Sequence, residues 1–398
     1  MTKDRQSQSS ARAGFTLLEV MVSLAVGGIA LSSIYAVGSS ATRHFREQQR
    51  ISAAQTSLRA AMATLKHDFQ RAGFMSTPDT RGPAQACSLP AALQDGWIGG
   101  VNGYTKNAAK PSKLDPNGLN AAAKDKNGTD EFFSVDQVWL TGNYVTSGEY
   151  PNISVSSDGL TVSIPMGWQS FQRDFSEWSG GTAGSCNETV FRAAFPVDRL
   201  VRLHAQNGTY SYATVAGADC VGDATKTATV TLRNSVPTNC NMEGGWIAPV
   251  STMFYRVEDA DPVRAEDDAL GRTTVLRRTE VKPDDRLKPV ETQGGVRIED
   301  RSLLDYIVRF KVDFLMLDPP GDTRISYVPM TQAEWTTSPQ RARAAIIDLA
   351  VRTPQQESDF VQNVPTAAFK IFQPGRGAAR VRRMHAEVLM PNVANRNL

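Results

Sequence analysis

Residues 14–37 read GFTLLEVMVSLAVGGIALSSIYAV, and this stretch decides the fold. It is apolar from Phe15 onward and contains one charged residue, Glu19. An α-helix over 15–37 would be about 34 Å long, which is enough to cross a hydrocarbon core of about 30 Å. The stretch therefore predicts a helix that spans a membrane.

The segment before this helix is short and basic, with Lys3, Arg5 and Arg12. The positive-inside rule then places the amino terminus in the cytoplasm and the bulk of the chain outside. A cleaved signal peptide would have a shorter apolar run, of about 7–15 residues, ahead of small residues such as those at 39–41. A plain single-span anchor fits the length but leaves Glu19 unexplained, since a carboxylate near the centre of a membrane helix costs about 2.5–3.5 kcal/mol. Both alternatives stay open beside the following one.

The residues GFTLLE at 14–19 resemble the type III signal of type IV prepilins. In that family, a membrane-embedded aspartyl peptidase cuts after the glycine and methylates the new amino terminus. The resemblance implies cleavage between Gly14 and Phe15 by prepilin peptidase, with N-methylation of Phe15. It also implies that Glu19 acts in subunit assembly by facing a neighbour's amino terminus, so that two charges in apolar surroundings compensate each other. The alternative for Glu19 is a side chain that merely reaches water at the interface.

The helix is predicted to continue beyond the membrane as far as about residue 72, where Gly73 is a natural stop. Gly27, Gly28 and Gly38 lie within it as weak points, and the pair Gly27 and Gly28 is expected to serve either local flexibility or close helix packing. Apolar residues recur at gaps of seven, four, three and four, which predicts one amphipathic face: Ile51, Leu58, Met62, Leu65 and Phe69.

The remainder of the chain predicts strands and loops. Alternating residues at 307–317 and 381–390 predict strands with one buried and one wet face, and 153–164 predicts another strand. Aromatic residues at gaps of three, four and three predict a helix over 168–178, packed by its aromatic face or exposing an adhesive patch.

We therefore expect an α+β, pilin-like fold, in which a long N-terminal helix packs against an antiparallel β-sheet and carries large loop-rich insertions. The predicted division is a prepilin leader at 1–14, a membrane-spanning and filament-core helix at 15–38, its amphipathic extension at 39–73, a loop-rich variable region with short strands at 74–245, and a C-terminal β-sheet region at 246–398.

The residues DFQRAGF at 68–74 are similar to the helix-end pattern of the PilW group of minor pilins, D-x-R-x-A-G-aromatic followed by a cysteine. Here Gln70 takes the place of that arginine, Arg71 stands beside it, and Cys87 follows. The resemblance implies a structural subunit of a type IV pilus that primes assembly near the tip. The resemblance also implies that this subunit moves from the inner membrane to the pilus surface. Its implied partners are prepilin peptidase, other minor pilins, the major pilin and a tip adhesin. The alternatives are a type II secretion pseudopilin of the J kind and a membrane-anchored exported binding protein or enzyme.

Four cysteines, Cys87, Cys186, Cys220 and Cys240, lie outside the membrane in this topology, where disulfides persist. Four cysteines allow three pairings. The short intervening loop favours Cys220 with Cys240, which leaves Cys87 for Cys186.

The composition and the lack of known motifs argue against nucleic-acid binding, catalysis and metal binding. Lys+Arg 43 against Asp+Glu 41 gives a net charge of +2, so no nucleic-acid partner is expected, and the local basic cluster at 376–383 is typical of a sheet edge. No pattern of catalytic residues is present, so we predict neither an enzyme nor a cofactor. No zinc-ligand spacing exists, and the oxygen-rich residues 125–131 lack the glycine of a calcium loop, which favours a solvated turn and no metal.

Overall fold

The computed structural model describes residues 16–76, 86–90, 101–104, 136–179, 182–220, 227–259, 274–283, 288–291, 298–317, 327–330, 341–353 and 381–394. A long apolar helix comes first and antiparallel β-sheets follow, which confirms the expected α+β, pilin-like layout. The chain divides into two compact units, Met1–Ala53 and Ala54–Leu398. The boundary falls inside the helix.

Helix α1, Leu17–Arg71, is 55 residues long. Nearly all of its side chains in the first unit are exposed. In the second unit its apolar face is buried, as the spacing of Leu58, Met62 and Phe69 predicts. The helix ends where Gly73 takes a φ of +78°, the left-handed conformation that commonly follows a helix C-terminus. An added Cβ there would lie 3.0 Å from the carbonyl oxygen of Asn392, so glycine also permits a close approach.

Three short α-helices, a 3₁₀-helix at Thr238–Cys240 and many strands follow α1 in the described residues. The α-helices are α2 Gln169–Phe175, α3 Glu188–Ala194 and α4 Pro391–Ala394. The strands are β1 Ala86–Ser88, β2 Val101–Tyr104, β3 Gln137–Gly142, β4 Tyr150–Pro151, β5 Ser154–Val155, β6 Thr161–Pro165, β7 Ser176–Ser179, β8 Thr182–Cys186, β9 Leu200–His204, β10 Tyr210–Asp219, β11 Thr227–Leu232, β12 Trp246–Asp259, β13 Thr274–Val281, β14 Asp300–Asp305, β15 Ile307–Leu317, β16 Tyr327–Pro329, β17 Ala342–Arg352 and β18 Val381–Leu389.

The largest sheet has 12 strands and is built around β12. Its main path is β14-β13-β12-β9-β10-β11-β6-β5, while β3 and β4 also pair with β12 and β2 pairs with β3. The pairing of β1 with β10 is parallel, and the other pairings of this sheet are antiparallel. Strand β12 can serve so many partners because its 14 residues pair with different strands along their length.

A second sheet of four strands has the order β16-β15-β17-β18. Phe310, Val312 and Phe314 of β15 are almost completely buried, whereas the intervening residues are partly exposed. This alternation confirms the strand predicted at 307–317. Strand β18 likewise buries Ala386 and Val388 and exposes its other face, as predicted for 381–390. Strands β7 and β8 form a separate two-stranded sheet.

Two large hydrophobic cores lie within the second unit. The first joins the end of α1 to both large sheets and includes Leu65, Tyr255 and Ile347. The second is formed by residues between 150 and 247, with a cluster of aromatic rings at its centre: Tyr150, Phe171, Phe175, Phe191 and Phe195. Much of the region that the sequence marks as loop-rich therefore folds around a core of its own.

The single helix predicted over 168–178 is wrong at its C-terminal end. Helix α2 stops at Phe175, and Ser176 turns to an extended conformation and begins β7. Phe171 and Phe175 are buried as predicted, but Trp168 is 48% exposed. The helix ends at Phe175 because the following residues pair with β8 as strand β7. The helical spacing of the aromatic residues does not indicate this pairing.

The strand predicted over 153–164 is also wrong, because the chain folds there into a hairpin of β5 and β6. Gly159 has a φ of +71° in the turn, and an added Cβ would collide with the carbonyl oxygen of Val236. The SSDG sequence at 156–159 is typical of such a turn and could have indicated it.

Candidate functional site

The described part of α1 begins with a capping box formed by Thr16 and Glu19. The backbone N–H of Thr16 donates to Oε2 of Glu19 at 2.9 Å, and the Thr16 hydroxyl donates to the same oxygen at 3.1 Å. In return, the backbone N–H of Glu19 donates to Oγ1 of Thr16 at 3.3 Å. These bonds satisfy N–H groups that the first turn of a helix leaves without partners. Glu19 thus has a partner within its own chain, which the T-x-x-E spacing could have indicated.

The predicted cleavage pair, Gly14 and Phe15, lies outside the described residues. The amino group that Glu19 is predicted to face is therefore not described either. Glu19 itself is exposed in the single chain, so a neighbouring subunit has access to its carboxylate. Its role in assembly remains a prediction.

The first unit exposes the apolar side chains of α1. Leu17 is 80% exposed, Ile29 68% and Val37 70%. Among the described residues, α1 is the one helix long and apolar enough to cross a membrane. Contact of this surface with water costs roughly 25 cal/mol per Å² of apolar area. Entry into a bilayer, or packing against similar helices, removes that cost.

The hydroxyl groups within this apolar stretch bond to the helix backbone. Ser32 donates to the carbonyl oxygen of Gly28 at 2.8 Å, and Thr42 donates to that of Gly38 at 2.8 Å. Each hydroxyl is thereby satisfied without a partner from outside the helix. An added Cβ at Gly27 or Gly28 would meet nothing within 4 Å. Both roles expected of these glycines, flexibility and close packing, remain predictions.

A buried charged cluster fixes the other end of α1 to the large sheet within the second unit. Asp68 is 3% exposed, and its Oδ2 accepts from the Tyr255 hydroxyl and, at 2.6 Å, from Nε of Arg278. Tyr144 adds a hydrogen bond from its hydroxyl to the carbonyl oxygen of Asp68 at 3.2 Å. Because both charges are buried and paired, the cluster holds α1 in one register against β12 and β13.

Burial sets the protonation of this cluster. It raises the pKa of Tyr255 well above its ordinary value, and the nearby negative charge of Asp68 adds to that shift. Burial and Asp68 raise the pKa of Tyr144 in the same way. Burial alone would lower the pKa of Arg278, but its neighbours Tyr255 and Asp68 outweigh this effect and raise it. The tyrosines therefore remain neutral donors and Arg278 remains charged.

Three of the helix-end residues singled out by the sequence, Arg71, Ala72 and Gly73, contact the rest of the second unit. Nη2 of Arg71 donates to the carbonyl oxygen of Thr146 at 2.6 Å. Ala72 is completely buried, and the N–H of Gly73 donates to the carbonyl oxygen of Thr141 at 2.8 Å. Gln70 points to solvent, so Arg71 makes the contact at this end of the helix.

The cysteines pair differently from our expectation. Cys87 bonds to Cys240 with a Cα–Cα distance of 5.6 Å, and Cys186 bonds to Cys220 at 6.1 Å. The preference for Cys220 with Cys240 is therefore wrong. Loop-closure entropy changes only with the logarithm of loop length, so a short loop is a weak guide, and the packing of β1 and β8 decides the partners. Both bridges lie against the second core.

Other candidate sites fall mostly outside the description. Residues 125–131 and the basic residues 376 and 380 are not among the described ones. Arg383 lies on β18, where its guanidinium binds Asp348. Within the described ranges, no group of three or more His, Cys, Asp or Glu side chains is arranged to hold a metal ion.

Residues 9–35 match the family described as the prokaryotic N-terminal methylation motif. No curated protein and no solved structure matches the chain. The matched segment contains Gly14, Phe15 and Glu19 and much of the exposed apolar surface of α1. This match supports a type IV pilin-like or pseudopilin-like protein, which is structural rather than enzymatic in kind.

The same motif indicates processing by prepilin peptidase and assembly with other pilins. Together with the apolar helix α1, it fits a membrane-anchored, single-pass protein.

Proposed function

We propose that the protein is a minor pilin of a type IV pilus, of the PilW group, and that it takes part in pilus assembly and priming at or near the tip. Prepilin peptidase cleaves it between Gly14 and Phe15, and Phe15 is N-methylated. The subunit then leaves the inner membrane to join other minor pilins and the major pilin in the filament, where it presents a tip adhesin.

The observation that carries this proposal is the continuity of the methylation motif with an exposed apolar helix. The motif at 9–35 overlaps the first turns of α1, where Glu19 is accessible to a neighbouring chain. A soluble enzyme or binding protein has no use for apolar side chains exposed along a helix of this length. A bundle of similar helices buries them.

The size of the second unit supports a rare or terminal position. Residues 54–398 make up most of the chain and contain two large cores and two disulfides. So large a body is hard to repeat at every position along a thin fibre, whereas a tip has room for it. The helix-end residues Asp68, Arg71 and Gly73 support the PilW group, because each makes a contact that fixes the helix end to the rest of the second unit.

The methylation motif fits a type II secretion pseudopilin as well as it fits a minor pilin. Deletion of the gene distinguishes these two functions. The measurements are the amount of sheared surface pili and the amount of secreted enzyme, each compared with the parent strain and with a complemented strain. A minor pilin is expected to reduce surface pili and to leave secretion unchanged. Loss of secretion with normal pili would replace the proposal with the pseudopilin.

A further inference from the structure

A cavity of about 660 Å³ lies beside the buried charged cluster of the second unit. Its walls come from the last turns of α1, from residues 144–145, from α3 and from strands β12–β14. The volume is within the range of about 300–1,000 Å³ that is usual for small-molecule sites. The lining residues that the proposal uses are Asp68, Val145, Arg278, Ile298, Glu299 and Arg301.

Arg278 has an unused hydrogen-bond donor in this cavity. Its side chain is 5% exposed. Nε donates to Asp68 and to Tyr255, and Nη1 donates to Oε2 of Glu299 at 2.9 Å. Nη2 makes no hydrogen bond to any described residue. It also remains accessible to solvent, unlike the buried unpaired polar atoms found elsewhere in the described residues. Since a guanidinium carries five N–H donors, Nη2 offers its own to whatever enters the cavity.

Glu299 offers the matching acceptor. Its Oε2 is occupied by Arg278 and, at 3.3 Å, by Nη2 of Arg301. Its Oε1 has no hydrogen-bond partner among the described residues, and the side chain is 34% exposed. The site therefore presents a free N–H donor and a free carboxylate oxygen on two side chains that are themselves bonded.

The charges lining the cavity balance. Arg199 also lines it, but Arg199 is 1% exposed and bound to Glu280 on two nitrogens. Apart from His67, whose Nδ1 lies 3.2 Å from Oδ1 of Asp68, the remaining charged side chains are two cations, Arg278 and Arg301, and two anions, Asp68 and Glu299. A ligand with a single charge would give the cavity a net charge, whereas a ligand that carries one positive and one negative charge keeps the cavity neutral.

We propose that this cavity binds a free α-amino acid with an apolar side chain. The carboxylate of the ligand accepts from Nη2 of Arg278, and its ammonium donates to Oε1 of Glu299. The apolar side chain packs against Val145, which is 39% exposed at the rim, and against the partly exposed Ile298. This binding activity goes beyond the filament role and does not depend on it.

The test is calorimetric titration of leucine into the detergent-solubilised full chain. Saturable binding is expected. N-acetyl-leucine amide, acetate and methylammonium are each expected to bind at least about tenfold more weakly, since each lacks one or both of the charge-assisted bonds. Equal binding of acetate would show a simple anion site, and equal binding of the blocked amide would show a peptide-backbone site. Either result would overturn the proposal, as would the absence of saturable leucine binding at millimolar concentration.

Two variants test whether leucine binds in this cavity. Glu299→Gln is expected to weaken leucine binding about tenfold, and Val145→Trp should abolish it by filling the rim. The matched control is Glu258→Gln, a carboxylate that pairs with Arg256 on β12 and does not line the cavity. Equal leucine affinity of Glu299→Gln and Glu258→Gln would contradict the assignment. Amino-terminal processing is measured on the same samples, so failure here is separable from failure of the filament proposal.

Discussion

Glu19 has one observed partner, Thr16, and one proposed partner, a neighbour's amino terminus, and the two make different demands on its side chain. The capping box with Thr16 requires an acceptor oxygen, which glutamine also supplies. Pairing with a neighbour's amino terminus requires the negative charge. Substitutions at this one position therefore separate a helix cap from an assembly contact.

We expect both Glu19→Gln and Glu19→Ala to be processed normally and to enter filaments poorly, because each lacks the charge. Immunoblots of sheared fibres and of membranes measure the two steps separately. Ser23→Ala is the control, because its hydroxyl bonds only to the carbonyl of Glu19 in the same helix. Normal filament entry of Glu19→Gln, with failure of Glu19→Ala, would mean that capping alone is the role.

Asp68 provides a second test at a single residue. Asp68→Ala leaves the buried guanidinium of Arg278 with only the partly exposed carboxylate of Glu299, and loss of one partner of a buried ion pair costs about 3–5 kcal/mol. Asp313→Ala is the control, because Asp313 pairs with Lys311 on the surface, where such pairs contribute about 0–1 kcal/mol. Urea unfolding of the full chain in detergent measures both. Equal losses of unfolding free energy would contradict a stabilising role for the cluster.

At the scale of elements, regular patterns could be predicted and irregular ones could not. The end of α1 follows from Gly73, and the faces of β15 and β18 follow from alternation, because burial of one face imposes a period on the sequence. The C-terminal end of α2 and the hairpin of β5 with β6 depend on partner strands far along the chain. Pairing of distant strands leaves no local period.

The two disulfides constrain elements to different extents. In the chain-entropy treatment, Cys87–Cys240 closes 153 residues and contributes about 5 kcal/mol, whereas Cys186–Cys220 closes 34 and contributes about 4 kcal/mol. Replacing both cysteines of the first bridge by alanine should therefore lower the unfolding free energy by about 1 kcal/mol more than the same change in the second. Denaturant unfolding measures this difference. The reverse order would show that loop length does not decide the contribution.

The second sheet should lose stability in acid through Asp348 of β17. Burial opposes its ionisation, but hydrogen bonds from Arg383 and Arg309 outweigh burial and lower the pKa of Asp348 below its ordinary value of 3.8. The pKa is lower in the folded state, so the contribution is complete above the unfolded value and is lost as the pH falls through the folded one. Asp348→Asn should thus be less stable than the parent near neutral pH and equal to it in strong acid. A difference that persists in strong acid would contradict this.

At the scale of the whole molecule, the sequence was sufficient for the α+β layout and for the prepilin resemblance. Glu19 stands out because a lone charge in an apolar run is rare. The cavity beside Arg278 could not be predicted, since Asp68, Arg278 and Glu299 are widely separated in the chain and only the fold brings them together.

The central claim is that the chain is cut and methylated as a prepilin and then packs beside similar helices. The most direct measurement is the mass of the amino-terminal peptide of protein isolated from its native membranes, with a peptidase-deficient strain as control. We predict a peptide that begins at N-methylated Phe15 in the parent and an uncut leader in the control. A peptide that begins at an unmodified Met1 in the parent, or one cut near Ala41, would contradict the claim.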